Sequence, residues 1–215
     1  LFRSIYGNYL VFICQEAKSD NVAQNPNDQP ERIAVDNFSD DSGNIVVQDT
    51  WIAMYNTINL ANAVIFYGPK ITGDTTLINR VIGEAKFIRA MTYFEIGQLW
   101  GGVPLRLVPT TDFKNTIVAT SSAADIFTQV ENDLNDAISV LPTSYDGSVN
   151  NEVGRATMYA AQTLLGKVYL QQGKQSMAAS MLSSVLGKYS LLPDYKNIYL
   201  AGNKNSAESI FEINF

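Results

Sequence analysis

Histidine is absent from this 215-residue chain, and cysteine occurs once, at Cys14. Without histidine there is no Ser-His-Asp or Cys-His nucleophile system and no His-dependent metal site. A single thiol forms neither an internal disulfide nor a Cys-pair zinc site. Cys14 follows the apolar run Tyr9-Leu10-Val11-Phe12-Ile13 and reads as a small buried hydrophobe. Basic runs are missing as well. Fifteen Lys and Arg stand against 21 Asp and Glu, a net charge of −6, which argues against nucleic acid or an anionic membrane surface as a partner. No apolar run reaches the roughly 18 residues that a membrane-spanning helix requires. The chain opens at Leu1 inside a helical pattern, with no charged n-region and no apolar signal core. The expectation is that any signal peptide and lipid anchor lie in sequence outside this chain.

What is present is enough for a core. The chain is 46% hydrophobic and 17% charged, the balance of a folded globular protein. Helical periodicity dominates. Residues 1–17 read as a helix, and residues 18–45 form the longest polar stretch, rich in Asn, Asp, Ser, Pro and Gly. A second helix is expected over 47–67, with Trp51, Met54, Tyr55, Ile58, Ala61 and Ile65 on one face and Gly68-Pro69 as its stop.

Residues 74–100 predict a long helix of about 40 Å. Its apolar stripe runs through Leu77, Val81, Ala85, Ile88, Met91, Phe94 and Leu99. Gly101, Gly102 and Pro104 close it. A connector over 101–121 leads to Ser122-x-x-Asp125, a helix start signal. Ile126, Val130, Leu134, Ile138 and Leu141 continue that helix until Pro142. After a polar loop at 143–152, helices are expected over 154–172 and 174–187. Small residues (Ala160, Gly166) would let these two approach closely, with Ala178 and Ala179 facing back, as in a tetratricopeptide unit. Phe211, Ile213 and Phe215 alternate with Glu212 and Asn214, which predicts a short strand at the end. The fold class is therefore mostly all-α, a tetratricopeptide-like helical-repeat superhelix with long loops and this one short strand.

Catalytic templates fail on inspection. Gly68 to Gly73 has the outer glycines of a phosphate loop, but Asp74 stands where the lysine belongs. Residues 36–44 resemble a calcium loop, yet Gly43 is not at the sixth position after a leading Asp, and a solvated loop is the simpler reading. Glu84 and Glu95 share a face of the long helix. Eleven residues rise about 16 Å, beyond the about 5–9.5 Å between paired glycosidase carboxylates. Asp20 with Asp40 or Asp41 is the remaining carboxylate pair that loop folding can bring together. No metal or cofactor site is assigned.

Aromatics are abundant, with 11 Tyr, 10 Phe and 2 Trp. Sugar rings present apolar C–H faces that stack on aromatic rings, while amides and carboxylates bond their hydroxyls. Helical spacing assigns Trp51, Tyr55, Tyr93, Phe94 and Trp100 to the core. Phe38, Tyr145 and Tyr195 lie among polar or turn residues and are the candidates for exposure or ligand contact. Loop position and chemistry single out Asp20, Asn21, Asn25, Asn37 and Phe38 as candidate ligand-binding residues.

Five ordered segments carry a family resemblance. They are W--MYNTINLANAVI (51–65), GEAKFIRAMTYFEIGQLWGGVPL (83–105), ADIFTQVENDLNDAISVLP (124–142), GRATMYAAQTLLGKVYLQQG (154–173) and NSAESIFEINF (205–215). Together they resemble the SusD/RagB family of outer-membrane glycan-binding lipoproteins. The resemblance implies one SusD-like helical domain over 1–215, the N-terminal part of a longer protein. It implies non-catalytic capture of a polysaccharide or oligosaccharide on the extracellular face of the outer membrane. Partners would be the glycan and a TonB-dependent SusC-like transporter, with membrane association through a lipid anchor. Family binding residues lie in variable loops, so none carries over to a numbered position here. Two other readings stand beside it: a helical-repeat adaptor that binds protein without sugar affinity, and a hydrolase acting through loop carboxylates.

Overall fold

The computed structural model describes residues 14–20, 22–112, 116–145 and 152–213. Six α-helices are defined there: α1 (Pro30–Asp36), α2 (Ile45–Tyr67), α3 (Thr75–Trp100), α4 (Ala123–Val140), α5 (Met158–Gln171) and α6 (Gln175–Ser183). Short 3-10 turns follow at Gly68–Lys70, Tyr195–Tyr199 and Ala201–Asn203. The helix expected over 1–17 falls mostly outside the described residues, where only 14–16 are helical.

Caps explain the boundaries. The Asn44 side chain accepts from the Val46 and Val47 N–H groups at 2.9 and 3.4 Å, so α2 begins two residues before its expected start. Asp74 caps α3 in the same way. Ser122 and Asp125 form a reciprocal capping box on α4, as their spacing predicts. Thr157 caps α5, which therefore starts at Met158 rather than 154. Helix α6 stops at Ser183, short of the expected 187. Helix α1 lies inside the polar stretch that reads as loop; Pro30 at its first turn and Glu31 beside it are its start signals.

The helices stack in order. Helix α3 is the centre, with α2 packed on one side and α4 on the other; α4 then meets α5, and α5 meets α6. This is an all-α helical-repeat arrangement. A helix flanked on two sides is buried nearly all round from Gly83 onward: Gly83, Ala85, Phe87, Arg89, Ala90, Thr92, Tyr93, Phe94, Ile96 and Gly97. The expected stripe is wrong at its start. Leu77 and Val81 are exposed, because the first two turns of α3 stand clear of their neighbours.

Helices α5 and α6 form the tetratricopeptide-like hairpin, turning at Gly173 with φ 71°. A Cβ on Gly166 would lie 2.5 Å from Cδ2 of Leu182, so the absent side chain sets the approach of the two helices. Ala178 faces α5 as expected, but Ala179 is exposed. Gly166→Val is expected to destabilise the chain by about 1–3 kcal/mol through overpacking, read as a lower midpoint in urea.

No strand forms among the described residues; Pro104 and Thr120 make an isolated bridge. The expected terminal strand is thus corrected over 207–213, and residues 214–215 lie outside the described set. The tail uses its apolar residues differently. Ile210 and Phe211 pack consecutively onto the core, and Phe211 meets Phe87 edge-on with ring centroids 5.0 Å apart. Glu208 and Glu212 accept from the Leu192 and Asn205 N–H groups. With its glutamates bonded to loop backbone, the segment has no ladder to join.

Candidate functional site

A charged group at the centre of the helical stack organises the connector after α3. Arg89 and Asp133 are 4% and 1% exposed. The Arg89 guanidinium donates twice to Asp133, from Nε at 2.7 Å and Nη2 at 2.6 Å. Its Nη1 donates to Asn62 Oδ1 at 2.7 Å. Gln129 donates to Asp133 from the next turn. Asn62 in turn donates to the Arg106 and Val108 carbonyls. The Tyr93 hydroxyl both accepts from the Arg106 N–H and donates to its carbonyl. Burial pushes the Tyr93 phenol up to about 12. Tyr55 donates to the Pro104 carbonyl at 2.7 Å, and its phenol is also raised, chiefly by burial. Helices α2 and α3 thereby pin residues 104–108, and α4 fixes Arg89 through Asp133. Every member is spent on the scaffold, which leaves this centre no free group for chemistry.

The two glutamates of α3 have separate duties. Glu84 accepts from the buried Tyr145 hydroxyl at 2.8 Å and pairs with Arg155, while Arg80 forks onto Glu152. Tyr145 is 6% exposed, so its assignment to ligand contact is corrected: its polar neighbours in sequence hide a partner 61 residues away. Glu95 accepts from Gln15, and burial raises its carboxyl above the ordinary range. A raised carboxyl means that the folded state holds the proton more tightly than the unfolded state. Glu95 therefore costs no stability below the unfolded pKa, and the cost grows as pH rises through the folded value. Glu95→Gln is expected to be more stable than the parent at pH 7 and equal to it near pH 3, measured by urea midpoints at both.

The core assignments hold for Tyr93 and Phe94, which are buried, while Trp51, Tyr55 and Trp100 are half-buried against the core. Cys14 is buried beside the Thr50 hydroxyl, and burial raises its thiol.

The candidate loop residues sit around α1. Asp20 is exposed in a turn. Asn21 lies outside the described residues. Asn25 is exposed, its side chain accepting from the Asn27 N–H at 2.9 Å. Asn37 follows the last turn of α1, and Phe38 comes next. Asp40 pairs with Lys18 at 2.9 Å, and Asp41 closes its own turn on the Gly43 N–H. No group of three or more His, Cys, Asp or Glu that could hold a metal occurs among the described residues.

Phe38 is the unusual member. It is 70% exposed, and its φ of 55° is a left-handed conformation that bulky residues rarely adopt. The Lys18 ammonium lies 5.7 Å from its ring centroid. A large apolar side chain held out of the core on a strained backbone adds little to folding. Tyr195 and Tyr199 are likewise exposed, with hydroxyls 2.6 Å apart.

Several clefts open on the surface among the described residues. One of about 490 Å³ lies between Tyr145, Arg155, Tyr159, Lys188 and the tail. Another of about 740 Å³ lies beside Gln15 and Glu95. A third, about 460 Å³, separates α2 from residues 104–110 and 116–118 and is lined by Trp51, Tyr55, Asn56, Asn59 and Arg106.

The described residues thus form a stacked helical repeat with exposed aromatics in its loops. The chain belongs to the SusD-like family described as starch-binding and associating with the outer membrane, whose model matches residues 6–170. A solved laminarin-binding SusD-like protein superposes with a TM-score of 0.86 and 31% identity, over 98% of this chain and 47% of that one. A SusD superfamily protein from Bacteroides vulgatus gives a TM-score of 0.86 at 28% identity, over 98% of this chain and 46% of its own. A SusD-like protein of Bacteroides ovatus is 28% identical over 176 residues, 74% of this chain and 31% of that protein. The chain thus spans under half the length of these relatives. No helix among the described residues is long and apolar enough to cross a membrane.

Proposed function

We propose that residues 1–215 form one helical domain, the N-terminal part of a non-catalytic, lipid-anchored glycan-binding protein on the outer face of the outer membrane. It captures a polysaccharide or oligosaccharide and delivers it to a TonB-dependent SusC-like transporter. The observation that carries this reading is the likeness to the laminarin-binding relative, at 31% identity and TM-score 0.86 over 98% of the chain. The exposed loop chemistry supports it. Phe38 offers a stacking face, and Asp20, Asn25 and Asn37 offer hydrogen-bonding groups for sugar hydroxyls, with Asn21 a candidate by sequence alone. Glu84 and Glu95 are held in separate contacts, with Tyr145 and with Gln15, which supports binding without hydrolysis.

Native affinity electrophoresis through laminarin, starch and xyloglucan tests the reading. The chain is expected to be retarded by at least one, with no reducing sugar released. Phe38→Gly should weaken retention about tenfold, the scale of an aromatic anchor. Glycine suits the left-handed φ, so this variant should melt no lower than the parent. Retention by no polysaccharide, together with capture of a protein partner, would favour the adaptor reading.

A further inference from the structure

We infer that the cleft between α2 and residues 104–110 and 116–118 is a second glycan contact, a subsite for one pyranose ring. The inference rests on the glycan-binding reading above and names a place within it.

The lining has the two chemistries a pyranose needs. Its apolar side is Trp51, Tyr55, Ile58 and Pro104. The Trp51 and Tyr55 rings lie 4.7 Å apart at 38°, and Trp100 braces Trp51 edge-on at 5.3 Å, so the indole is held in a fixed orientation. A fixed, half-exposed ring beside a cleft is a preorganised stacking surface. Its polar side is Asn56, Asn59, Thr110 and Thr116. Asn59 spends its carbonyl on the Thr110 N–H at 2.8 Å, which leaves the NH₂ group to donate. Asn56 is exposed, and neither its amide nor the Trp51 indole N–H has a hydrogen-bond partner among the described residues.

Among the described residues that line it none is a carboxylate, so it offers nothing to a cation. The guanidinium of Arg106 donates to the Thr116 carbonyl and the Thr110 hydroxyl and keeps its positive charge. A pyranose with one apolar face and an edge of hydroxyls matches this lining. The volume of about 460 Å³ lies within the about 300–1,000 Å³ of small-molecule sites. The floor is rigid because Tyr55, Asn59 and Asn62 tie the connector to α2.

Trp51 and Trp100 are the only tryptophans in the chain, so indole ¹⁵N–¹H resonances read the site directly. The 215-residue chain is titrated with laminarihexaose and maltohexaose, and Trp51→Phe assigns the two peaks. One oligosaccharide is expected to move the Trp51 peak saturably. Asn56→Ala, at an exposed position, should weaken that shift about three- to tenfold, the loss of one hydrogen bond. Binding seen by affinity electrophoresis while the Trp51 peak stays still would overturn the subsite and leave the glycan-binding reading standing. A shift that Asn56→Ala does not weaken would overturn the assignment of the polar edge. Absence of binding in both assays would overturn the subsite together with the reading it rests on.

Discussion

Asp133→Ala is expected to lower stability by about 3–5 kcal/mol, because it strands the Arg89 guanidinium among apolar helices. Arg89 is 4% exposed and would lose both bonds to Asp133, keeping only the Asn62 and Leu107 oxygens. An unpaired buried cation has no cheap alternative, since arginine does not deprotonate. Domains of this size hold about 5–15 kcal/mol in all, so the variant should sit close to unfolding. The effect should spread to the connector. Asn62 is oriented by Arg89, and Asn62 holds the Arg106 and Val108 carbonyls. Urea unfolding measures the loss. Replacing both partners together, with Arg89→Met and Asp133→Leu, should recover most of it. Little difference between Asp133→Ala and the parent would mean that the pair is not buried as described.

The second large effect is at Phe87. This side chain is 2% exposed, in the middle of α3, and its ring meets Phe211 edge-on. Phe87→Ala removes a whole ring from a closely packed centre and is expected to cost about 3–5 kcal/mol. The partner on the tail is only half-buried, so Phe211→Ala should cost clearly less. The two losses should not add, because they share one contact. A double-mutant cycle on thermal or urea midpoints measures that coupling. Coupling near zero would show that residues 210–211 do not dock on the helical core.

These two sites illustrate how far the sequence can be read. The long helices were legible because periodicity and caps agree: Asp74 and Ser122 mark their starts, and Gly101 and Pro142 mark their stops. The Arg89–Asp133 pair was not, since its members are 44 residues apart and a charged residue on a helix ordinarily reads as solvated. A signal existed. Arg89 falls among Ala85, Ala90 and Tyr93, and Asp133 falls between Val130 and Leu134, so each is a lone charge inside an apolar face. Tyr145 was misread for a related reason: its sequence neighbours are polar, while its partner Glu84 lies on another element. The terminal alternation misled because burial of Phe211 needs only a surface to pack on, not a ladder.

The loop proposed to bind glycan was legible by composition alone. Sequence placed Asn37 and Phe38 in a long polar stretch, but not the short α1 that presents them, nor the left-handed backbone at Phe38. That φ value depends on how the turn after α1 closes, which local propensity does not set for a phenylalanine. The cleft beside Trp51 was hidden differently. Helical spacing assigns Trp51 and Tyr55 to the core, and a residue can pack on the core with one face and line a cleft with the other.

The central claim is that an exposed loop surface on a rigid helical scaffold binds glycan. Calorimetric titration of the chain and of Phe38→Gly, with an oligosaccharide of whichever polysaccharide retards the parent, tests it most directly. The account predicts saturable binding by the parent and about tenfold weaker binding by Phe38→Gly at an unchanged melting temperature. Equal affinity in both proteins would contradict the place given to the site, and no heat with any oligosaccharide would contradict the claim itself.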